Sequence, residues 1–164
     1  ENLTNDDSGD SFDERKANDV VRRVLSDAMG SQTDGLDEFT TAYLVAALWS
    51  TTDNSDEDGG QSLDLNYDLC DIAPEAMKSA IESCAQFQEE HKELLAKAYE
   101  LYAPRDGYHG PALAGHDLWL DAAGSGVGFR DRNLGEIGEA LSKAADALGG
   151  KDVYVGDDGL IYGF

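Results

Sequence analysis

Between Pro74 and Pro104 one stripe of side chains returns every three or four residues: Met77, Ala80, Ile81, Cys84, Phe87, His91, Leu94, Leu95, Ala98, Leu101 and Tyr102. That spacing marks one face of an amphipathic helix. Pro74 suits its first turn, and Pro104 cannot continue it. A single helix of this extent runs about 45 Å at 1.5 Å per residue, so the rest of the chain must supply apolar faces to cover it. Its other face carries Glu82, Glu89, Glu90, Glu93 and Glu100, partly paired by Lys78, Lys92 and Lys97.

Other elements follow from the same period. Residues 1–10 are acidic and polar and read as a flexible tail. Ser11 and Glu14 have capping-box spacing ahead of Ala17, Val20, Val21, Val24 and Leu25, which predicts a helix over Asp13 to Met29. Leu36, Phe39, Tyr43, Leu44, Ala47 and Leu48 predict a second helix ending near Thr51, with Asp34 and Asp37 at its positive end. Asp53 to Asp71 reads as a long acidic loop without Lys or Arg.

Beyond Pro104 the texture changes. Arg105 to Gly115 reads as a Gly/Pro loop. Leu118-Trp119-Leu120 and Val127-Gly128-Phe129 read as two short strands, Asn133 as the cap of a helix ending at Gly149-Gly150, and Val153 to Tyr162 as a hairpin turning at Gly156 to Gly159. Helices followed by β-β-α-β-β predict an α+β fold. Residues 11–164 then make a single domain, with 11–33 as a possible added helical arm.

The 164 residues carry 34 acidic and 12 basic side chains, a formal charge of −22. A direct nucleic-acid binder needs a basic footprint, and a membrane-surface protein a polybasic patch; neither is present. Two cysteines, Cys70 and Cys84, are too few for a disulfide framework, and a helix from Pro74 would hold them too far apart to join.

No catalytic signature emerges, so the chain reads as a non-enzyme without a cofactor. His116, Asp117 and Ser125 share residue types with a Ser/His/Asp triad, but no nucleophile elbow or oxyanion-hole motif accompanies them. His91 reads as a boundary histidine, and His109 has no partner at metal-ligand spacing. Gly124 to Gly128 lacks the Lys of a phosphate-binding loop and reads as a tight turn. Arg130 and Arg132 are expected to make local ion pairs. Asn54, Asp56, Asp58 and Gly59 match the start of an EF-hand loop, but Leu65 stands where a bidentate Glu is required.

The acidity itself has three readings: a solvating surface, salt adaptation, or carboxylates standing in for phosphates in a partner's basic groove. Duplex DNA presents one charge per roughly 1.7 Å of axis, so only clustered, rigidly held carboxylates can imitate it. Glu82, Glu89, Glu93 and Glu100 approach such a row, and Asp53, Asp56, Glu57, Asp58, Asp64 and Asp68 extend it.

Two stretches carry a resemblance. One runs from Thr41 through Ala-Leu-Trp-Ser-Thr-Thr-Asp-Asn-Ser-Asp-Glu-Asp-Gly-Gly60 to Pro74. The other comprises Gly115-His-Asp-Leu-Trp-Leu120, Gly126-Val-Gly-Phe-Arg-Asp-Arg132 and Asp152 to Tyr162. Together they resemble a family of small, uncharacterised bacteriophage proteins, over about Leu36 to Tyr162. Members of that family often carry Asn and His where this chain has Ala123 and Ser125, and Trp at Arg130. The resemblance implies a phage origin and action in the host cytoplasm. It raises the expectation of an accessory protein that blocks a host nucleic-acid-acting protein by mimicking DNA. The alternatives are a virion or assembly component with a solvating surface, and a divalent-cation module using Asn54, Asp56, Asp58 and Asp64.

Overall fold

Asp37 starts the first helix of the described residues by accepting the Thr40 N–H at 2.6 Å, which satisfies one of the orphan donors of the opening turn. The computed structural model describes residues 33–55, 60–105 and 107–164. The chain divides at Asp34, and the described architecture is that of the unit Gly35–Phe164. The tail 1–10, the helix expected over Asp13 to Met29, and Asp56, Glu57 and Asp58 lie outside the described residues.

Helix α1 (Glu38–Ser50) buries Phe39, Tyr43, Leu44, Ala46, Ala47 and Leu48. Apolar residues lie on most of its circumference, which makes it the central helix. Its most extensive partner is α4 (Gly110–Ala122). Leu118, Trp119 and Leu120 are buried within α4, so the strand expected there is a helix. The expected partner strand at 127–129 leads instead into a 3-10 turn, Phe129–Arg132. The loop expected over 105–115 ends at Gly110. Two residues with a reputation as helix breakers have other uses here. Pro111 occupies the first turn, where its missing N–H costs nothing. Gly115 lies against the Phe39 carbonyl, and any Cβ would collide with that oxygen.

The expected 45 Å helix is two helices, α2 (Pro74–Glu90) and α3 (Lys92–Leu101). His91 separates them with φ −117° and ψ 19°. Its ring packs on Phe87 with centroids 4.7 Å apart. The break lets α3 pack against α4 and against α5 (Glu136–Asp146), burying Leu95 and Ala98. Asn133 does not cap α5. It sits at φ 57° and closes the preceding 3-10 turn, and Gly135 takes the N-cap position.

The described unit is mostly helical, with one small antiparallel sheet of β1 (Tyr154–Val155) and β2 (Ile161–Tyr162). The hairpin was legible; the larger β-β-α-β-β unit is not formed. Ala73 N–H donates to the Ile161 carbonyl at 2.9 Å, which ties the hairpin to the start of α2. The described residues of the acidic segment also carry regular backbone pairing and turns. Thr52 and Ser62 bridge, and Asp53 N–H donates to Gln61 O at 2.7 Å. Two 3-10 turns follow at Leu63–Leu65 and Leu69–Asp71, and Asp68 and Asp71 cap the second reciprocally.

Aromatic rings join the elements. Phe87 of α2 stacks with Phe39 of α1 and with Phe129, both at 6.3 Å. Tyr43 meets Trp119 edge-on at 5.3 Å. Trp119 Nε1–H donates to Ser50 Oγ at 2.7 Å. Cys84 is buried, Cys70 is exposed, and no disulfide joins them. Among the described residues, no helix is long and apolar enough to cross a membrane.

Candidate functional site

The carboxylates singled out from the sequence fall into three groups. Glu82 and Glu89 ride on α2, Glu93 and Glu100 on α3, and all four are exposed. Within each pair the two residues are two turns apart, about 10.5 Å along the axis at 1.5 Å per residue. The break at His91 interrupts the row between Glu89 and Glu93. Two of the four have cationic neighbours: Lys78 lies 3.8 Å from Glu82 and Lys92 lies 3.5 Å from Glu89. These pairs are highly exposed and each contributes about 0–1 kcal/mol.

In the acidic segment, Asp64 and Asp68 are exposed. Asp64 accepts from Ser62 Oγ at 2.6 Å, and Asp68 accepts the Cys70 N–H at 2.7 Å. Asp53 is buried, accepting Ser55 N–H at 2.9 Å and Ser55 Oγ–H at 2.6 Å. It therefore shapes the segment and presents little charge outside. No group of three or more His, Cys, Asp or Glu residues able to hold a metal ion occurs among the described residues.

Sequence reasoning missed a second polar assembly, centred on α4. Asp117 is buried, and Arg132 grips it through Nε at 2.9 and 3.0 Å and through Nη2 at 2.7 Å. Tyr102 Oη–H donates to it at 2.8 Å. Burial pushes the Asp117 carboxyl up, but hydrogen bonding and the guanidinium charge hold it below its ordinary value. His116 Nδ1, at 3.9 Å from Asp117, lies beyond hydrogen-bond range, so Arg132 and Tyr102 carry that effect. Burial, reinforced by the same carboxylate, raises the Tyr102 phenol.

One helical turn on, Asp121 Oδ2 accepts Phe129 N–H at 2.9 Å and Ser142 Oγ–H at 2.8 Å. Gly128 lies so close to this carboxylate that a Cβ there would come within 2.5 Å. Burial leaves the Asp121 carboxyl raised despite these donors. Asp117 and Asp121 thus lock the 3-10 turn and α5 onto α4. The signal in the sequence is two carboxylates four residues apart in an otherwise apolar helix, with arginines following. Arg132 pairs at long range and inside the protein, contrary to the expected local pair. Arg130 does pair at the surface, with Glu139 at 3.2 Å and Asp146 at 3.3 Å.

This assembly is not a nucleophilic triad. Ser125 Oγ–H is committed to the Leu120 carbonyl at 2.7 Å. Asp117 is saturated by Arg132 and Tyr102. His116 instead lies against Trp49, centroids 5.9 Å apart, and Trp49 is 55% exposed. Comparison with protein-family models, with curated proteins and with solved structures finds no match.

Proposed function

We propose that the chain is a phage-encoded accessory protein that blocks a host nucleic-acid-acting protein by presenting phosphate-like carboxylates to its basic groove. The observation that carries this reading is a contrast within the molecule. The buried carboxylate Asp117 is fully compensated by Arg132 and Tyr102, whereas Glu93 and Glu100 stand exposed on α3, and Glu82 and Glu89 on α2 have only loose, solvated lysine neighbours. Carboxylates carried on helices need no backbone ordering on binding, and in a chain of charge −22 they attract a basic partner over long range. The resemblance to phage proteins supports a partner in the host cytoplasm.

The test is capture of the tagged chain's partners from host lysate at low and high salt, identified by mass spectrometry. The reading expects one nucleic-acid-binding protein, released by salt and competed by duplex DNA. Recovery of phage structural proteins alone, or of nothing, contradicts it and favours a virion component whose acidity only solvates.

A further inference from the structure

The hairpin carries an arrangement that the acidic helices do not explain. Tyr154 pairs across the strands with Tyr162, while Val155 and Ile161 form the adjacent pair. Strand alternation puts the two tyrosines on one face and the aliphatic pair on the other, where Ile161 is fully buried. The tyrosine rings stack at 5.8 Å with planes 21° apart. Such a pair stabilises a hairpin, yet Tyr154 remains 54% exposed.

The ring pair has a carboxylate built onto it. Tyr162 Oη–H donates to Asp158 Oδ2 at 2.6 Å, and Leu160 N–H donates to Asp158 Oδ1 at 3.0 Å. Gly156 makes room for this. A Cβ there would stand 2.8 Å from Tyr162 Cε2 and 2.9 Å from Asp158 Oδ1. Asp158 pushes the Tyr162 phenol up to about 12, with Glu75 adding to the effect. Donation to a carboxylate also enriches the ring's π cloud. A carboxylate has about four lone-pair sites, so Asp158 keeps acceptor capacity for an external donor.

We propose that this ledge of Tyr154, Tyr162 and Asp158 is a docking point for an arginine side chain of a basic protein partner. A guanidinium can stack on the exposed Tyr154 ring and donate to the carboxylate held at the edge of the adjacent Tyr162 ring, a combination that a compact ammonium matches less well. Charge complementarity selects a cationic occupant, because Asp157, Asp158 and Glu75 are all exposed. The inference rests on the proposed function for the basic character of the partner, but, apart from Glu75 in the first turn of α2, it uses a different surface from the α2 and α3 glutamates singled out above.

The experiment is an NMR titration of the full chain, labelled at backbone nitrogen and tyrosine ring carbon, with a blocked tetra-arginine peptide and a matched tetra-lysine peptide. The expected result is a saturable shift of the Tyr154 and Tyr162 ring signals, stronger with arginine. Tyr154→Ala should weaken arginine-peptide binding roughly two- to five-fold while leaving the rest of the spectrum in place. Shifts confined to α2 and α3, no binding at all, or equal binding to Tyr154→Ala overturn the ledge. Shifts on α2 and α3 alone would leave the acidic-helix reading standing. An intact ledge response combined with failure to capture a basic host protein would strike that reading and spare the ledge.

Discussion

Arg132, itself half-buried, and the buried Asp117 form a bidentate pair, Nη2 to Oδ1 at 2.7 Å and Nε to both oxygens at 2.9 and 3.0 Å. The pair fastens the 3-10 turn at Phe129–Arg132 to α4. Removing one partner of such a pair leaves an uncompensated buried charge, which costs about 3–5 kcal/mol. Arg132→Met should therefore lower Tm by roughly 6–20 °C, at about 2–4 °C per kcal/mol for a chain of this size. The double variant Arg132→Met with Asp117→Leu should recover part of that loss in a thermal melt. If Arg132→Met melts with the wild type, the pair is not a structural fastening.

The two α4 carboxylates should leave opposite marks on stability against pH. Asp117 is held below its ordinary value in the folded state, so its contribution is full above that value and is lost as pH falls through the folded one. Asp121 is raised, so its contribution is full below the ordinary carboxyl value and fades as pH rises through the folded one. Melting curves from pH 2 to pH 7 should show the wild type losing stability in the acid range below about pH 4. Asp121→Asn, which can still accept from Phe129 and Ser142, should melt within about 1 kcal/mol of the wild type near neutrality. Asp121→Ala strands the Phe129 N–H and should cost about 1–3 kcal/mol.

Gly115 fixes the approach of α4 to α1. Because a Cβ would collide with the Phe39 carbonyl oxygen, Gly115→Ala must push the two helices apart. Overpacking of this kind costs about 1–3 kcal/mol, which a thermal melt resolves. A Gly115→Ala protein as stable as wild type would contradict the crossing.

The cysteines give a chemical test of the fold. Burial pushes the Cys84 thiol up to about 12, which removes the reactive thiolate, while Cys70 is exposed. Iodoacetamide at pH 8 should alkylate Cys70 in the native protein, and Cys84 only after denaturation, as read by peptide mass mapping. Equal native labelling at both would contradict the packing of α2.

Helix α1 was legible because its stripe and the aspartates at its N-terminal end agree, and most of the stripe running from α2 into α3 was legible, although Ile81 and Leu101 in it are exposed. The break at His91 was not, because the apolar period runs through it without interruption. Helix α4 was misread because Gly110, Pro111 and Gly115 carry breaker chemistry; their reasons are a first-turn proline and a close helix crossing, and only the crossing partner, Phe39, reveals the latter. The closing hairpin was legible from its Gly-Asp-Asp-Gly turn. The exposed glutamates were found from helical spacing, whereas Asp53 was not separable from its exposed neighbours until Ser55 was seen to bind it. The Asp117–Arg132 pair spans a helix end, a turn and a 3-10 segment, so no local pattern announces it.

The central claim is that the exposed α2 and α3 carboxylates bind a basic partner. Its most direct measurement is the affinity of the captured partner for wild type and for the variant carrying Glu82→Gln, Glu89→Gln, Glu93→Gln and Glu100→Gln, each across a salt series. These residues make only solvated pairs, so the variant should fold with Tm nearly unchanged. The account predicts weaker binding and a shallower salt dependence for the variant. Equal affinity and an equal salt slope would contradict it.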